Sequence, residues 1–221
     1  MYKRWRREVL VNLRRGLSVI DRQPRREDTP EEVTTVETGR PLVSSDAPWW
    51  RPLFAAITVA LVIGAAVRYE DISHIAVVAV YIAVFVACAA TDLTSYRVPN
   101  VITYPAILFA FLIGAFLPDA DFPAALLGGA TAGGLMLFSL VVSRGAMGLG
   151  DVKLATFAGL ALGWPLIAPA LVLMAISGGV TALILLLFGL RGRKDPIPYA
   201  PFISAAVVAV ILWQGTVFVE F

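Results

Sequence analysis

Two aspartates carry the most informative surroundings in this sequence. Asp92 stands in Thr91-Asp92-Leu93-Thr94-Ser95-Tyr96-Arg97-Val98-Pro99-Asn100, and Asp151 in Met147-Gly148-Leu149-Gly150-Asp151-Val152-Lys153-Leu154. Each borders a long apolar run, where an ionisable group is costly to place and therefore marks function. A carboxylate pair about 3 Å apart resists double ionisation and shares one proton. The ionised member then takes a proton from a water that attacks a carbonyl, while the protonated member polarises the carbonyl oxygen. That is the chemistry of an aspartic protease, and it calls for no metal or cofactor. The other nucleophilic constellations lack their parts. His74 is the single histidine and is expected on the far side of the molecule, and the single cysteine, Cys88, excludes a Cys-rich zinc site and an intrachain disulfide framework.

The glycines beside Asp151 fit the same chemistry. Gly148 and Gly150 permit a tight backbone path before a helix and leave room for an extended substrate strand. Amides at that helix start would stabilise a charged Asp151, which makes Asp92 the expected protonated partner. Taken singly, each aspartate also has a plain structural reading: Asp151 as an N-cap, Asp92 as a boundary acid at a helix C-terminus.

The elements that must position the pair follow from composition. The chain has 221 residues, 58% hydrophobic and 15% charged, with a mean hydropathy of +0.79. Soluble domains are nearer 45–50% apolar and about 25% charged, so a simple water-soluble domain and a disordered chain are both excluded. The net charge of +2 gives no case for nucleic acid as a partner. Residues 1–51 hold 11 basic and 8 acidic side chains, whereas residues 52–221 hold only 7 and 8. The first segment reads as a polar tail and the second as a membrane domain.

Apolar runs at about 52–67, 74–91, 101–117, 124–143, 152–164, 166–190 and 200–218 predict an all-α integral membrane bundle of seven helices. Six or eight are compatible with the pattern, because Pro165 makes runs five and six either two helices or one interrupted unit. A transmembrane barrel would need alternating segments of about ten residues, and these runs are uniformly apolar. With the tail in the cytoplasm, 17 of the 18 basic residues fall on the cytoplasmic side and only Arg68 outside. Asp92 and Asp151 then share one membrane depth at the cytoplasmic face. Within the tail, Tyr2, Trp5, Val9, Leu13, Leu17 and Ile20 recur at helical spacing among arginines. They form either an amphipathic helix for anionic lipid or a soluble basic tail serving topology. Residues 21–47 read as a disordered linker.

Three segments together resemble the signatures of type IV prepilin peptidases, membrane aspartic proteases of the Gly-x-Gly-Asp class. They are Asp92 with Arg97-Val98-Pro99-Asn100, then Gly148-Leu149-Gly150-Asp151-Val152-Lys153-Leu154, then Ile197-Pro198-Tyr199-Ala200-Pro201-Phe202. The resemblance spans about residues 75–215. It implies removal of the basic leader of pilin or pseudopilin precursors at the cytoplasmic face of a bacterial or archaeal inner membrane. It also implies that Asp92 and Asp151 are catalytic, with Arg97, Pro99, Asn100, Gly148, Gly150, Lys153, Pro198 and Pro201 in support. The prolines would rigidify the backbone, and Lys153 would bias the charge of the pair or meet an acidic substrate group. Long members of the family carry paired Cys-x-x-Cys motifs and methylate the new N-terminus. Those cysteines are missing here, so peptidase activity without methyltransferase activity is expected, as in the short enzymes of tight-adherence pilus systems.

Two other readings use similar residues. A presenilin-like intramembrane protease shares Gly-x-Gly-Asp but has a Pro-Ala-Leu signature where this chain has Pro198-Tyr199-Ala200-Pro201. A proton-coupled transporter would place acids near the bilayer midplane and show an internal repeat. Other features read as structural. Gly129-x-x-x-Gly133 and Gly159-x-x-x-Gly163 allow close helix approach, Asp71, Asp119 and Asp121 are expected in solvated outer loops, and Cys88 is expected to be buried.

Overall fold

The computed structural model describes residues 50–142, 148–188 and 198–220. The basic tail, including its proposed helix, and the basic residues Arg144, Arg191, Arg193 and Lys194 lie outside these. Seven helices are present among the described residues: α1 (Trp50–Arg68), α2 (Ile72–Ser95), α3 (Asn100–Phe116), α4 (Phe122–Val142), α5 (Leu149–Leu162), α6 (Ile167–Leu187) and α7 (Ala200–Trp213). They form the expected all-α bundle. α1 already begins at Trp50, so Trp50 and Arg51 belong to the first helix and not to the tail. The seventh apolar run stops being helical at Trp213. Its remainder turns back as a two-residue antiparallel pair, Gly215–Thr216 (β1) with Val219–Glu220 (β2). Gly215, at φ 105°, takes the conformation that lets the chain leave the helix and reverse.

By length and composition α1, α2, α4 and α6 can each cross a membrane. α5 has 14 residues, about 21 Å at ~1.5 Å per residue, which is short of the ~30 Å hydrocarbon core. Its position accounts for the shortfall. It lies inside the bundle against α3, α4 and α7, with most of its residues buried, and a helix sheathed by protein need not match lipid thickness. α5 and α6 are two helices and not one interrupted unit. The chain breaks at Gly163 (φ 73°), and Pro165 stands in the turn that follows.

Lipid supplies no hydrophobic drive between helices, so they associate where surfaces fit closely. α4 and α5 do this through glycine. A Cβ on Gly159 would collide with the carbonyl oxygen of Gly128, one on Gly128 with that of Gly159, and one on Gly133 with Thr156 Oγ1. The small-residue stripes therefore seat one helix on the next as expected, with Gly128 an additional member. An aromatic cluster ties α2, α3 and α5 together. Phe157 lies 4.8 Å from Phe85 and 5.5 Å from Tyr81 by ring centroids, and Tyr81 meets Phe109 edge-on at 6.0 Å. Both aspartates are carried by helices of this cluster, toward the same end of the bundle.

The opposite end is closed by the C-terminal hairpin. Val217 N–H donates to Ala161 O (3.2 Å), and Asp121 N–H donates to Val217 O (3.2 Å). Tyr69 Oη donates to Ile211 O (2.9 Å). Asp71, Asp119 and Asp121 there are exposed, and each does local structural work. Asp71 caps α2 through Ser73 N–H (3.1 Å), and Asp121 accepts from Ala124 N–H (3.0 Å). Asp119 lies 3.5 Å from His74 Nε2. Cys88 is fully buried.

Candidate active site

α2 ends one turn after Asp92. Tyr96 takes a left-handed conformation (φ 49°) and returns its N–H to Asp92 O at 2.9 Å. The Asp92 side chain points into protein, with 5% of the residue exposed. Its Oδ2 accepts the Ala200 N–H at 3.0 Å, and the Tyr199 amide is directed at the same carboxylate. These donors come from the start of α7, where the first amides of a helix have no partner within it. Pro201 occupies the first turn, where its missing N–H leaves nothing unpaired, and Pro198 is buried just before. The third motif therefore acts on Asp92 through its backbone.

Asp151 is the third residue of α5 and is 8% exposed. Its Oδ2 accepts the Gly148 N–H at 3.4 Å, and its own N–H donates to Gly148 O at 3.2 Å. Gly148, not Asp151, is the N-cap. One amide at the helix start, that of Gly148, does reach Asp151, and Asp92 is supplied with an amide as well. The shorter amide hydrogen bond goes to Asp92, from a helix more than a hundred residues away. The two aspartates lie close enough for their charges to act on each other, and Tyr199 lies within range of Asp151. The Tyr199 ring also packs on α6, where a Cβ on Gly178 would fall 2.9 Å from Tyr199 Cε2.

Gly150 plays a different part from the one expected. Gly148 has φ −83°, open to any residue. At Gly150 a Cβ would fall 2.8 Å from Val98 Cβ. The space beside Gly150 is therefore taken by the first motif's own connection, not kept for a substrate strand. That contact locks the segment after Asp92 onto the first turn of the helix bearing Asp151.

The supporting residues divide along the same lines. Lys153 Nζ donates to Asn100 Oδ1 at 2.8 Å and sits 4.4 Å from the centre of the Tyr104 ring. Its ammonium engages α3 and forms a bridge between α5 and α3. Pro99 is the N-cap of α3, and its carbonyl accepts from Ile102 N–H (3.1 Å) and Thr103 N–H (3.2 Å). Arg97 is exposed on the connection, and Ile197 lies outside the described residues. Sequence reasoning missed Val98, Tyr104, Tyr199 and the Ala200 amide as parts of the site. Val98 and Tyr199 stood inside quoted motifs, which was the available signal. An amide carries no signal in residue type.

The chain matches a known family. A model of the type IV leader peptidase family covers residues 79–213, an interval holding both aspartates, the Val98 connection and the start of α7. Relatives named prepilin leader peptidase/N-methyltransferase are similar to this chain. The protein from Aeromonas salmonicida (strain A449) is 30% identical over 143 residues, covering 61% of this chain and 48% of that protein. That of Bacillus subtilis (strain 168) is 27% identical over 167 residues, covering 75% and 67%. That of Pseudomonas aeruginosa is 28% identical over 133 residues, covering 58% and 46%. The chain thus spans about half the length of most of these curated relatives. No solved structure matches it.

Proposed function

As the chain belongs to the type IV leader peptidase family, we propose that it is an aspartic endopeptidase that removes the basic leader of pilin-like precursors. The chain is a multi-pass membrane protein, and the reaction is assigned to the cytoplasmic face of the inner membrane. The positions of the basic residues in the sequence support that orientation. The observation that carries the reading is a pair of buried carboxylates on separate helices, within range of each other's charge and each anchored by a backbone amide.

In the proposed reaction Asp92, held by the α7 amides, is the ionised member and takes a proton from the attacking water. Asp151 carries the shared proton and gives it toward the scissile carbonyl oxygen as the tetrahedral intermediate forms. Collapse of that intermediate passes a proton to the leaving amine, whose release frees the mature N-terminus. The pair begins the next cycle with one proton between its members.

The reading is tested by co-expressing the chain with a pilin-like precursor and following leader removal by mass spectrometry. Asp92→Asn and Asp151→Asn should each slow processing by roughly 10²–10⁴-fold, the range for a positioned acid or base. Processing at the wild-type rate by either variant would show that the two aspartates are not the catalytic pair.

A further inference from the structure

α6 carries none of the three motifs, yet it reaches the catalytic pair. It faces the bundle along a narrow stripe. Ile167, Ala170, Met174 and Gly178 are buried at three- and four-residue spacing, while Ser177 and Gly179 on either side of Gly178 are exposed. The Tyr199 ring covers Gly178. A Cβ there would fall 2.9 Å from Tyr199 Cε2, 3.2 Å from Oη and 3.3 Å from Cζ, whereas a Cβ on Gly179 would meet nothing within 4 Å. Of these two consecutive glycines, Gly178 is the one that space requires.

The rest of Tyr199 is committed at the site. Its carbonyl accepts from Phe202 N–H (3.1 Å) and Ile203 N–H (3.3 Å) in the first turn of α7. Its own amide is directed at the Asp92 carboxylate, beside the Ala200 N–H that reaches Asp92 Oδ2 at 3.0 Å. The side chain lies within range of the charge on Asp151, and its ring meets Phe202 of α7 at 6.1 Å between centroids. Helix ends fray, and Asp92 takes its donors from a helix end. Groups that serve a reacting centre must be held to within about 0.5 Å by packing from outside. The ring seated on Gly178 supplies such packing. With carbon contacts at about 3.5–4.0 Å, an alanine at 178 would push the ring tip back by roughly 0.6–1.1 Å. A leucine would take the ring's place.

We propose that Gly178 and Tyr199 form a brace that ties α6 to the catalytic pair. The ring seated on Gly178 holds the Tyr199 and Ala200 amides on Asp92, which makes both Gly178 and Tyr199 positioning residues. The proposal rests on the leader-peptidase reading and adds to it a helix that the motifs leave out.

The test uses the full chain and a pilin-like precursor, with kcat and KM for leader removal followed by mass spectrometry. Tyr199→Ala should lower kcat by about 10–10²-fold, the scale of a misplacement of up to about 1 Å. KM should stay as it was, as when an interaction made only in the transition state is lost. Tyr199→Phe keeps the ring carbons on Gly178 and should restore most of that rate. A phenylalanine variant as slow as the alanine one would assign the effect to the hydroxyl and overturn the brace. Gly178→Leu should be about as slow as Tyr199→Ala and add nothing to it in the double variant, while Gly179→Leu should process at the wild-type rate. Independent, multiplying effects of Gly178→Leu and Tyr199→Ala would overturn the proposal, as would a change in KM alone. Thermal unfolding in detergent gives a reading without substrate. The losses of Tm from Gly178→Leu and Tyr199→Ala should likewise fail to add, and additive losses would show that the ring does not sit on Gly178. Wild-type kcat in Tyr199→Ala sinks the brace alone. If the unsubstituted chain removes no leader, the leader-peptidase reading falls, and the unfolding cycle still decides the seat.

Discussion

Gly150→Ala is the sharpest perturbation of the site that leaves both aspartates in place. The added Cβ would lie 2.8 Å from Val98 Cβ and 3.3 Å from Val98 Cγ2. Carbon atoms pack at about 3.5–4.0 Å, so the first turn of α5 and the connection after α2 must separate by roughly 0.7–1.2 Å. Forced overpacking of this kind costs about 1–3 kcal/mol. The larger effect is on catalysis, because the contact joins the two segments that carry the carboxylates. A misplacement of about 1 Å at a reacting centre costs on the order of 10²-fold in rate. Gly150→Ala should therefore accumulate in the membrane and process precursor about 10²-fold more slowly. The companion variant is Val98→Gly, which leaves Val98 Cα, 3.6 Å from the added Cβ, as the nearest of these atoms. The double variant should recover most of the rate lost by Gly150→Ala alone, a coupling read from the four rates of a double-mutant cycle. Wild-type processing by Gly150→Ala would refute the reasoning, and so would a double variant no faster than the single one.

Two predictions concern stability and are read by thermal unfolding in detergent. Gly159→Ala drives a Cβ into the Gly128 carbonyl, where only backbone could yield, and should lose about 1–3 kcal/mol or more. Gly134, with nothing near its Cβ position, should tolerate alanine and gain up to about 1 kcal/mol in helix propensity. If both substitutions have the same effect, the close approach of α4 and α5 is wrong. Burial pushes the Tyr69 hydroxyl from 10.0 up to about 12. The folded state then holds that proton more tightly than the unfolded chain, so its stabilisation is complete below pH 10 and is lost as pH rises toward 12. Tyr69→Phe should lower stability by about 1 kcal/mol at neutral pH through loss of the hydrogen bond to Ile211. It should also flatten the decline between pH 10 and 12, and an equally steep decline in the variant would show that Tyr69 is not its source.

Much of this protein was legible in its residues, for reasons that can be stated one by one. Long uniformly apolar runs announce membrane helices because backbone amides in lipid must be satisfied internally, and seven such runs became seven helices. Asp92 and Asp151 were conspicuous because carboxylates beside apolar runs are costly and rarely kept without a purpose. The glycine stripes marked helix contact because only small residues permit it. The end of α7 was misread for the same kind of reason. Residues 214–218 follow an apolar run and end in Val217 and Phe218, and hydropathy does not distinguish a helix from a short hairpin that covers the end of a bundle.

What the sequence could not determine was pairing across the fold. That Gly150 faces Val98, that Lys153 reaches Asn100 instead of the carboxylates, and that Asp92 takes its hydrogen bond from Ala200 all depend on which helices lie side by side. Residue type fixes what a group can do: a carboxylate accepts, a glycine leaves space, an amide donates. Which partner stands within 3 Å is set by the packing of segments far apart in the chain, and backbone donors such as Ala200 N–H are identical at nearly every position. The chemistry was thus written in local composition. Which amide meets which carboxylate was decided only when α2, α5 and α7 came together.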